Sequence, residues 1–262
     1  MSDELDMSVE DLPLVSFRGL RRSSWVIAGL GRLYLGLYDV PADRVLEFFP
    51  VIGFIEALVY QCDADVELAG GLTPAVVATA KRRHASIVLL LRKLALEDKR
   101  AEAEMVNMWI YAALEGALNK PDAEVTLAQL RRAAELRTSD VRVLHAIIAR
   151  LAGREADERY CSVLWPLEVI GDIEQDLESY ADDVAHDHYN TYAMFERLFG
   201  DAAPERMAAE IAGYQAMYEQ RLAELEPGEQ LRIRNFVAGH RARTPAPPIP
   251  GVGRGSDTSL AA

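Results

Sequence analysis

The sequence predicts an all-α protein, and three observations carry that expectation. Between its two ends, almost every segment places apolar residues three and four apart, the spacing of one face of an α-helix. No segment shows the strict apolar–polar alternation of a half-buried strand, and no Asn-Gly hairpin signal occurs. Prolines, glycines and capping residues punctuate the chain at intervals that suit roughly eight to ten helices. No fixed-period repeat is visible, so a stacked-repeat architecture is not expected. The expected architecture is a single large helical bundle over residues 13–242.

Each element follows from a local signal. Residues 20–38 carry Trp25, Leu30, Leu33, Tyr34 and Leu37 on a helical period. Pro41 precedes a second helix over 42–66, rich in Phe, Ile, Leu and Val, in which Pro50 predicts a kink or a break. The GGLTP stretch at 70–74 ends it, and Pro74 opens a helix to about Ala95. Residues 101–118 continue, until Asn119, Lys120 and Pro121 break the pattern. Thr126 is placed to cap a helix through Leu136. Further helices are expected over 141–152, 166–190, 189–199, 204–225 and 229–240, with Gly153 and Gly200 as stops. Residues 1–12 are acidic and aperiodic, which predicts a mobile tail. From Arg243 the chain reads RTPAPPIPGVGRGSDTSLAA, too rich in Pro, Gly and Ser to build a core, so 243–262 is expected to be a disordered tail.

Composition narrows the function classes. The chain has 262 residues and a net charge of −13, with a pI near 4.9. Such a balance excludes binding nucleic acid through bulk electrostatics, because phosphate backbones need a basic face. A phosphorylated small molecule remains possible through local arginines and bridging cations. Cys62 and Cys161 form neither a disulfide framework nor a metal-ligand pair, which points to a reducing cytoplasm. The N-terminus is acidic, unlike a signal peptide. Apolar runs such as Ile87–Leu91 are too short to span a bilayer, so no membrane span is expected.

Chemistry concentrates in Pro166–Asn190. Val169, Ile173, Leu177, Tyr180 and Val184 form an apolar stripe. Beside it runs a second row, Asp172, Asp176, Ser179 and Asp183. Oxygen donors of this kind suit Mg²⁺, which is commonly held by one or two carboxylates and the phosphates of a substrate. The same row also suits a solvated acidic face. A second cluster, Asp63, Asp65 and Glu67, closes the 42–66 helix, where acids oppose the macrodipole at a mild cost. Arginines accompany both clusters: Arg18, Arg21 and Arg22 at the first helix, and Arg131, Arg132, Arg137 and Arg142 before the acidic one. The planar, permanently charged guanidinium suits diphosphate.

The order of these pieces resembles the isoprenoid synthase superfamily over about residues 15–200. FRGLRRSSW is similar to that family's early basic stretch, with Arg18 and Arg21 at the matching places. EALVYQCDADVE resembles the helix bearing the first aspartate-rich motif, LEGAL a worn Gly-Gln segment, and LRTSDVRVL the Lys-Thr helix, with Arg137-Thr138 for Lys-Thr. VIGDIEQDLESY resembles the second aspartate-rich motif of prenyl diphosphate synthases. With its continuation to Asp183 it is also similar to the Asn-Asp-x-x-Ser-x-x-x-Glu metal motif of class I terpene synthases, and Asn190 falls near an asparagine that often follows there. The resemblance implies a Mg²⁺-dependent enzyme ionising an allylic prenyl diphosphate. Asp63 and Asp176 would be catalytic; Asp63, Glu67, Asp172, Asp176, Ser179 and Asp183 would hold metal; Arg18, Arg21 and Arg137 would bind diphosphate. Trp25, Phe48, Phe54, Trp109 and Tyr180 are candidates for lining a hydrocarbon pocket.

Departures from the pattern separate the readings. Aligned by its helix, the first motif has Gln61 and Cys62 for its leading aspartates; slid by two, Asp63 and Glu67 fit and Ala64 does not. The Arg-Arg-Gly that follows in prenyl diphosphate synthases is replaced by Leu68-Ala-Gly-Gly71, which favours cyclisation or elimination over chain elongation. For the terminal Arg-Tyr pair of terpene synthases, only Arg241 or Arg243 could stand in. The alternatives are a trans-prenyltransferase and a degenerate partner subunit of an active synthase. The resemblance also implies a homodimer, or a heterodimer with such a synthase. A different class, the di-iron bundle, has one suggestive piece here, Asp183-Val-Ala-His186 with His188 nearby.

Overall fold

The protein is all-α. The computed structural model describes residues 15–41, 43–69 and 71–251, apart from the side chains of residues 30–33 and Glu67, and no strand occurs among the described residues. The expected acidic tail and the end of the Pro-rich segment lie outside them. Among the described residues eleven α-helices follow one another: α1 (Phe17–Val26), α2 (Arg32–Leu37), α3 (Val45–Ala69), α4 (Pro74–Lys93), α5 (Lys99–Leu118), α6 (Leu127–Arg137), α7 (Ser139–Leu151), α8 (Glu158–Ala185), α9 (Thr191–Phe199), α10 (Ala203–Leu222) and α11 (Pro227–Arg241). A π-helical turn, Ile27–Gly31, joins α1 to α2.

The chain divides into two compact units. One holds Met1–Ala112 and Ser139–Ala156, the other Ala113–Thr138 and Asp157–Ala262.

In the first unit α3 is the central element, packed by α1, α4 and α7. Ile52, Ile55 and Leu58 of α3 and Leu144, Ile147 and Ile148 of α7 are fully buried. Over Val45–Val66 α3 is long and apolar enough to cross a membrane by those two criteria, and half of that stretch is buried inside the unit. Pro50 does not break the helix, which runs from Val45 to Ala69. Pro50 is only its sixth residue, so its missing N–H spares a single early carbonyl, that of the exposed Leu46. Gly19 lets α1 lie close: a Cβ there would stand 3.1 Å from Gln61 Oε1 and 3.3 Å from the Ala57 carbonyl.

In the second unit α8 is the axis, packed by α6, α9 and α10. Its buried stripe runs through Val163, Val169, Ile170, Ile173 and Leu177 and meets Met207, Tyr214, Tyr218 and Leu222 of α10. The sequence expectation starts this helix at Pro166; it starts at Glu158, capped by Asp157. Pro166 cannot donate to the carbonyl of Ser162, and Arg221 of α10 fills the vacancy, its guanidinium donating to Ser162 O at 2.7 Å. The helix stops at Ala185, where Asp187 turns left-handed (φ 55°) and the chain reaches the next cap at Asn190. Thr126 caps α6 as expected, within a reciprocal box with Gln129. Of the Pro-rich stretch after α11, the described part is tied down at its end: Tyr192 Oη donates to the Pro250 carbonyl at 2.5 Å.

Candidate functional site

Spacing places Asp172, Asp176, Ser179 and Asp183 on one face of α8, and the fold of the second unit supplies their partners. Arg137, in the last turn of α6, reaches both of the first two. Its Nη1 lies 2.6 Å from Asp176 Oδ1 and its Nε 3.3 Å from Asp172 Oδ2. The other oxygen of Asp176 accepts the backbone N–H of Thr191 at 2.7 Å. That N–H is the first of α9, so the Asp176 carboxylate also sits at the positive end of a helix.

Asn190 completes the arrangement. Its Oδ1 accepts from the N–H groups of Tyr192 and Ala193, while its Nδ2 donates to the Asp176 carbonyl at 2.7 Å and to Asp183 Oδ2 at 2.9 Å. Ser179 Oγ donates to the same Asp183 oxygen at 2.6 Å. Three of the N–H groups that every helix start leaves unpaired are thereby satisfied by two α8–α9 side chains in a buried place. Asn190→Ala is expected to lower stability by about 1–2 kcal/mol, a cap lost together with a buried donor, readable as a shift in urea midpoint at unchanged m-value.

Tyr189 is buried beside this network. Burial, and then the charge of Asp176, push its phenol well above the usual tyrosine range.

Oxygen donors of the kind Mg²⁺ prefers are present in Asp172, Ser179 and Asp183. Asp176 fits that role poorly as it stands: its side chain is 1% exposed and both oxygens are engaged. A guanidinium already occupies the place where a cation would bridge Asp172 and Asp176. Among the described residues, no group of three or more His, Cys, Asp and Glu side chains is arranged to hold a metal. The Asp183–His186 piece follows suit: His186 and His188 stack on each other near the exposed end of α8 and assemble no ligand set.

The first acidic cluster belongs to the first unit and is also spoken for. Asp63 pairs with Arg22 at 2.5 Å, and Asp65 with Arg83 at 2.6 Å. Gln61, in the place of a leading aspartate, accepts the Ser16 N–H and donates to Asp65, tying the start of α1 to α3. Glu67 lies outside the described side chains. Arg18 and Arg21 are exposed on α1, and it is their neighbour Arg22 that reaches Asp63. Of the other arginines, Arg131 forms a forked pair with Glu210, and Arg142 is buried against Glu104 and Ser139.

The aromatic candidates stand in different surroundings. Phe48 is core, Trp25 is 75% exposed, Phe54 is partly exposed, Trp109 faces His84 and Tyr180 donates to Glu196. One recess in the second unit, of about 110 Å³, is lined by Leu127, Phe195 and Phe199 with Arg131 and Arg206. It is smaller than the roughly 300 Å³ at which ligand pockets usually begin.

Residues that sequence spacing did not single out lie in the first unit. Glu56 of α3 is fully buried, and neither oxygen has a hydrogen-bond partner among the described residues. Burial, then the charge of Asp140, raise its carboxyl well above the usual range. The signal was available: a lone acid in the unbroken apolar run from Val51 to Val59. His145, also fully buried, stacks on Tyr34 and hydrogen-bonds Tyr38 Oη at 2.8 Å; burial lowers its imidazole to about 3.

No protein-family model matches the chain, and no curated protein or solved structure is significantly similar to it.

Proposed function

We propose that this protein is a class I isoprenoid enzyme that uses Mg²⁺ and ionises an allylic prenyl diphosphate, with cyclisation or elimination of a single substrate as its outcome. The observation that supports this reading is the gathering of Arg137, Asp172, Asp176, Ser179, Asp183 and Asn190 into one network at α6, α8 and α9. These are the residues that the resemblance marks in the second metal motif and its partner arginine. In this reading Asp172, Ser179 and Asp183 hold the cation, and Arg137 binds diphosphate. Bound Mg²⁺ would supply Lewis-acid stabilisation of the departing diphosphate. Arg137 has a second part: it neutralises Asp172 and Asp176 when no ligand is present, and turns to the diphosphate when one arrives.

The second reading, a degenerate partner subunit, is favoured by a specific observation. Asp176 spends both oxygens inside the protein, and Gln61 serves as a structural clamp where a metal-binding aspartate is expected. The deciding experiment offers geranyl, farnesyl and geranylgeranyl diphosphates with Mg²⁺, with and without isopentenyl diphosphate, and follows diphosphate release and hydrocarbon products. Release without isopentenyl diphosphate is expected, and it should be lost in Asp183→Ala and Ser179→Ala. Release only with isopentenyl diphosphate would assign a trans-prenyltransferase. No release under any condition, together with copurification of an active synthase, would assign the partner subunit.

A further inference from the structure

One unexplained surface feature of the first unit is apolar. Phe17, Leu20 and Trp25 of α1 face solvent, Phe17 at 79% and Trp25 at 75% exposure, and so do Leu46, Phe49 and Phe54 of α3, Leu46 at 78%. The two helices pack directly against each other. Ser16 meets Gln61 and Gly19 meets Ala57, so α1 advances as α3 recedes. That antiparallel register carries Trp25 toward the turn of α3 that presents Phe54.

Charge says what covers this face. The chain is strongly acidic, yet α1 (FRGLRRSSWV) carries three arginines and no acid, and Arg18 and Arg21 are exposed among Phe17, Leu20 and Trp25. An isologous contact with a second copy through α1 would bring these arginines against their own counterparts. A helix that alternates arginine with tryptophan, phenylalanine and leucine fits the boundary of an anionic bilayer: aromatic rings enter the headgroup zone and guanidinium groups meet lipid phosphates.

We propose that the α1–α3 face docks this protein peripherally on anionic membranes. The proposal does not depend on the isoprenoid reading, since no residue of the metal network takes part.

Cosedimentation of the full chain with phosphatidylcholine vesicles containing about 30% phosphatidylglycerol tests it, with phosphatidylcholine-only vesicles alongside. Binding to the anionic vesicles is expected, together with a blue shift of tryptophan emission. It should weaken at least about tenfold in Arg18→Glu/Arg21→Glu and in about 0.5 M salt. Phe17→Ser/Trp25→Ser should weaken it similarly while leaving the helical circular dichroism unchanged, since both side chains already face solvent. Absence of binding by the folded wild-type chain would overturn the proposal. So would equal binding to both vesicle types, or a solution dimer that Phe17→Ser/Trp25→Ser dissociates.

Discussion

Replacing Arg137 by methionine is expected to lower the unfolding free energy by about 3–5 kcal/mol, the range seen when one partner of a buried ion pair is removed. The expectation rests on the asymmetry of the pair. The Asp176 side chain is 1% exposed and that of Arg137 24%, so the carboxylate cannot recover its hydration when the guanidinium is gone. It would keep only the Thr191 N–H and the positive end of α9. Asp172, itself 15% exposed, would lose the same partner. Asp176→Asn should cost less, about 1–2 kcal/mol: the amide oxygen can still accept from Thr191, and Arg137 keeps Asp172. The double variant Arg137→Met/Asp176→Leu should regain part of the loss, because it leaves no uncompensated charge at that position. Urea unfolding at pH 7 reads all three.

The size of that loss bears on function as well as stability. If Arg137 is to turn from Asp176 to a diphosphate, the ligand must offset the cost of leaving the carboxylate, and several kcal/mol would make the unliganded arrangement a strong ground state. A loss below about 1 kcal/mol would mean that the pair is loosely held in solution. It would leave Arg137 available to an anionic ligand at little cost and would favour the enzyme over the degenerate subunit.

The all-α class was legible because helical spacing is local, and the same spacing placed Asp172, Asp176, Ser179 and Asp183 together on α8. Their use was not legible. Whether Asp176 points its oxygens outward or spends them on the protein depends on Arg137, 39 residues earlier, and on Thr191, 15 residues later. A periodic pattern cannot distinguish a carboxylate that awaits a cation from one that caps the next helix. The true start of α8 was hidden in the same way. Pro166 reads as a helix beginning until Arg221, 59 residues beyond Ser162, is seen to satisfy the Ser162 carbonyl that the proline strands. Gln61 looks like a lost metal ligand in the sequence, and becomes a clamp only once α1 lies across α3.

Glu56→Met should stabilise the protein at neutral pH and change the shape of its pH dependence. Glu56 is fully buried on α3, near Asp140 of α7 and Tyr60 of its own helix, with Tyr60 donating to Asp140. Because burial raises its carboxyl above the unfolded value near 4.3, the native state keeps a proton that the unfolded chain releases. Its contribution is fully present below about pH 4.3 and is lost at about 1.4 kcal/mol per unit as pH rises towards the native titration. His145 acts with the opposite sign. Held neutral down to about 3 by burial, it makes the native state the poorer proton binder below the unfolded imidazole value near 6.5, so stability falls as the solution is acidified. Above about pH 4.3 the two slopes oppose each other, and below it His145 acts alone. Methionine has nearly the length of glutamate, needs no hydrogen bond and removes one of the opposing terms. The gain should therefore be larger at pH 7 than at pH 4, and the variant's stability should rise more steeply than the wild type's as pH increases from about 4.3. Urea midpoints taken across pH 4–8 for both proteins measure it. A variant that gained equally at every pH would show that Glu56 does not titrate differently on folding, and that the benefit is packing alone.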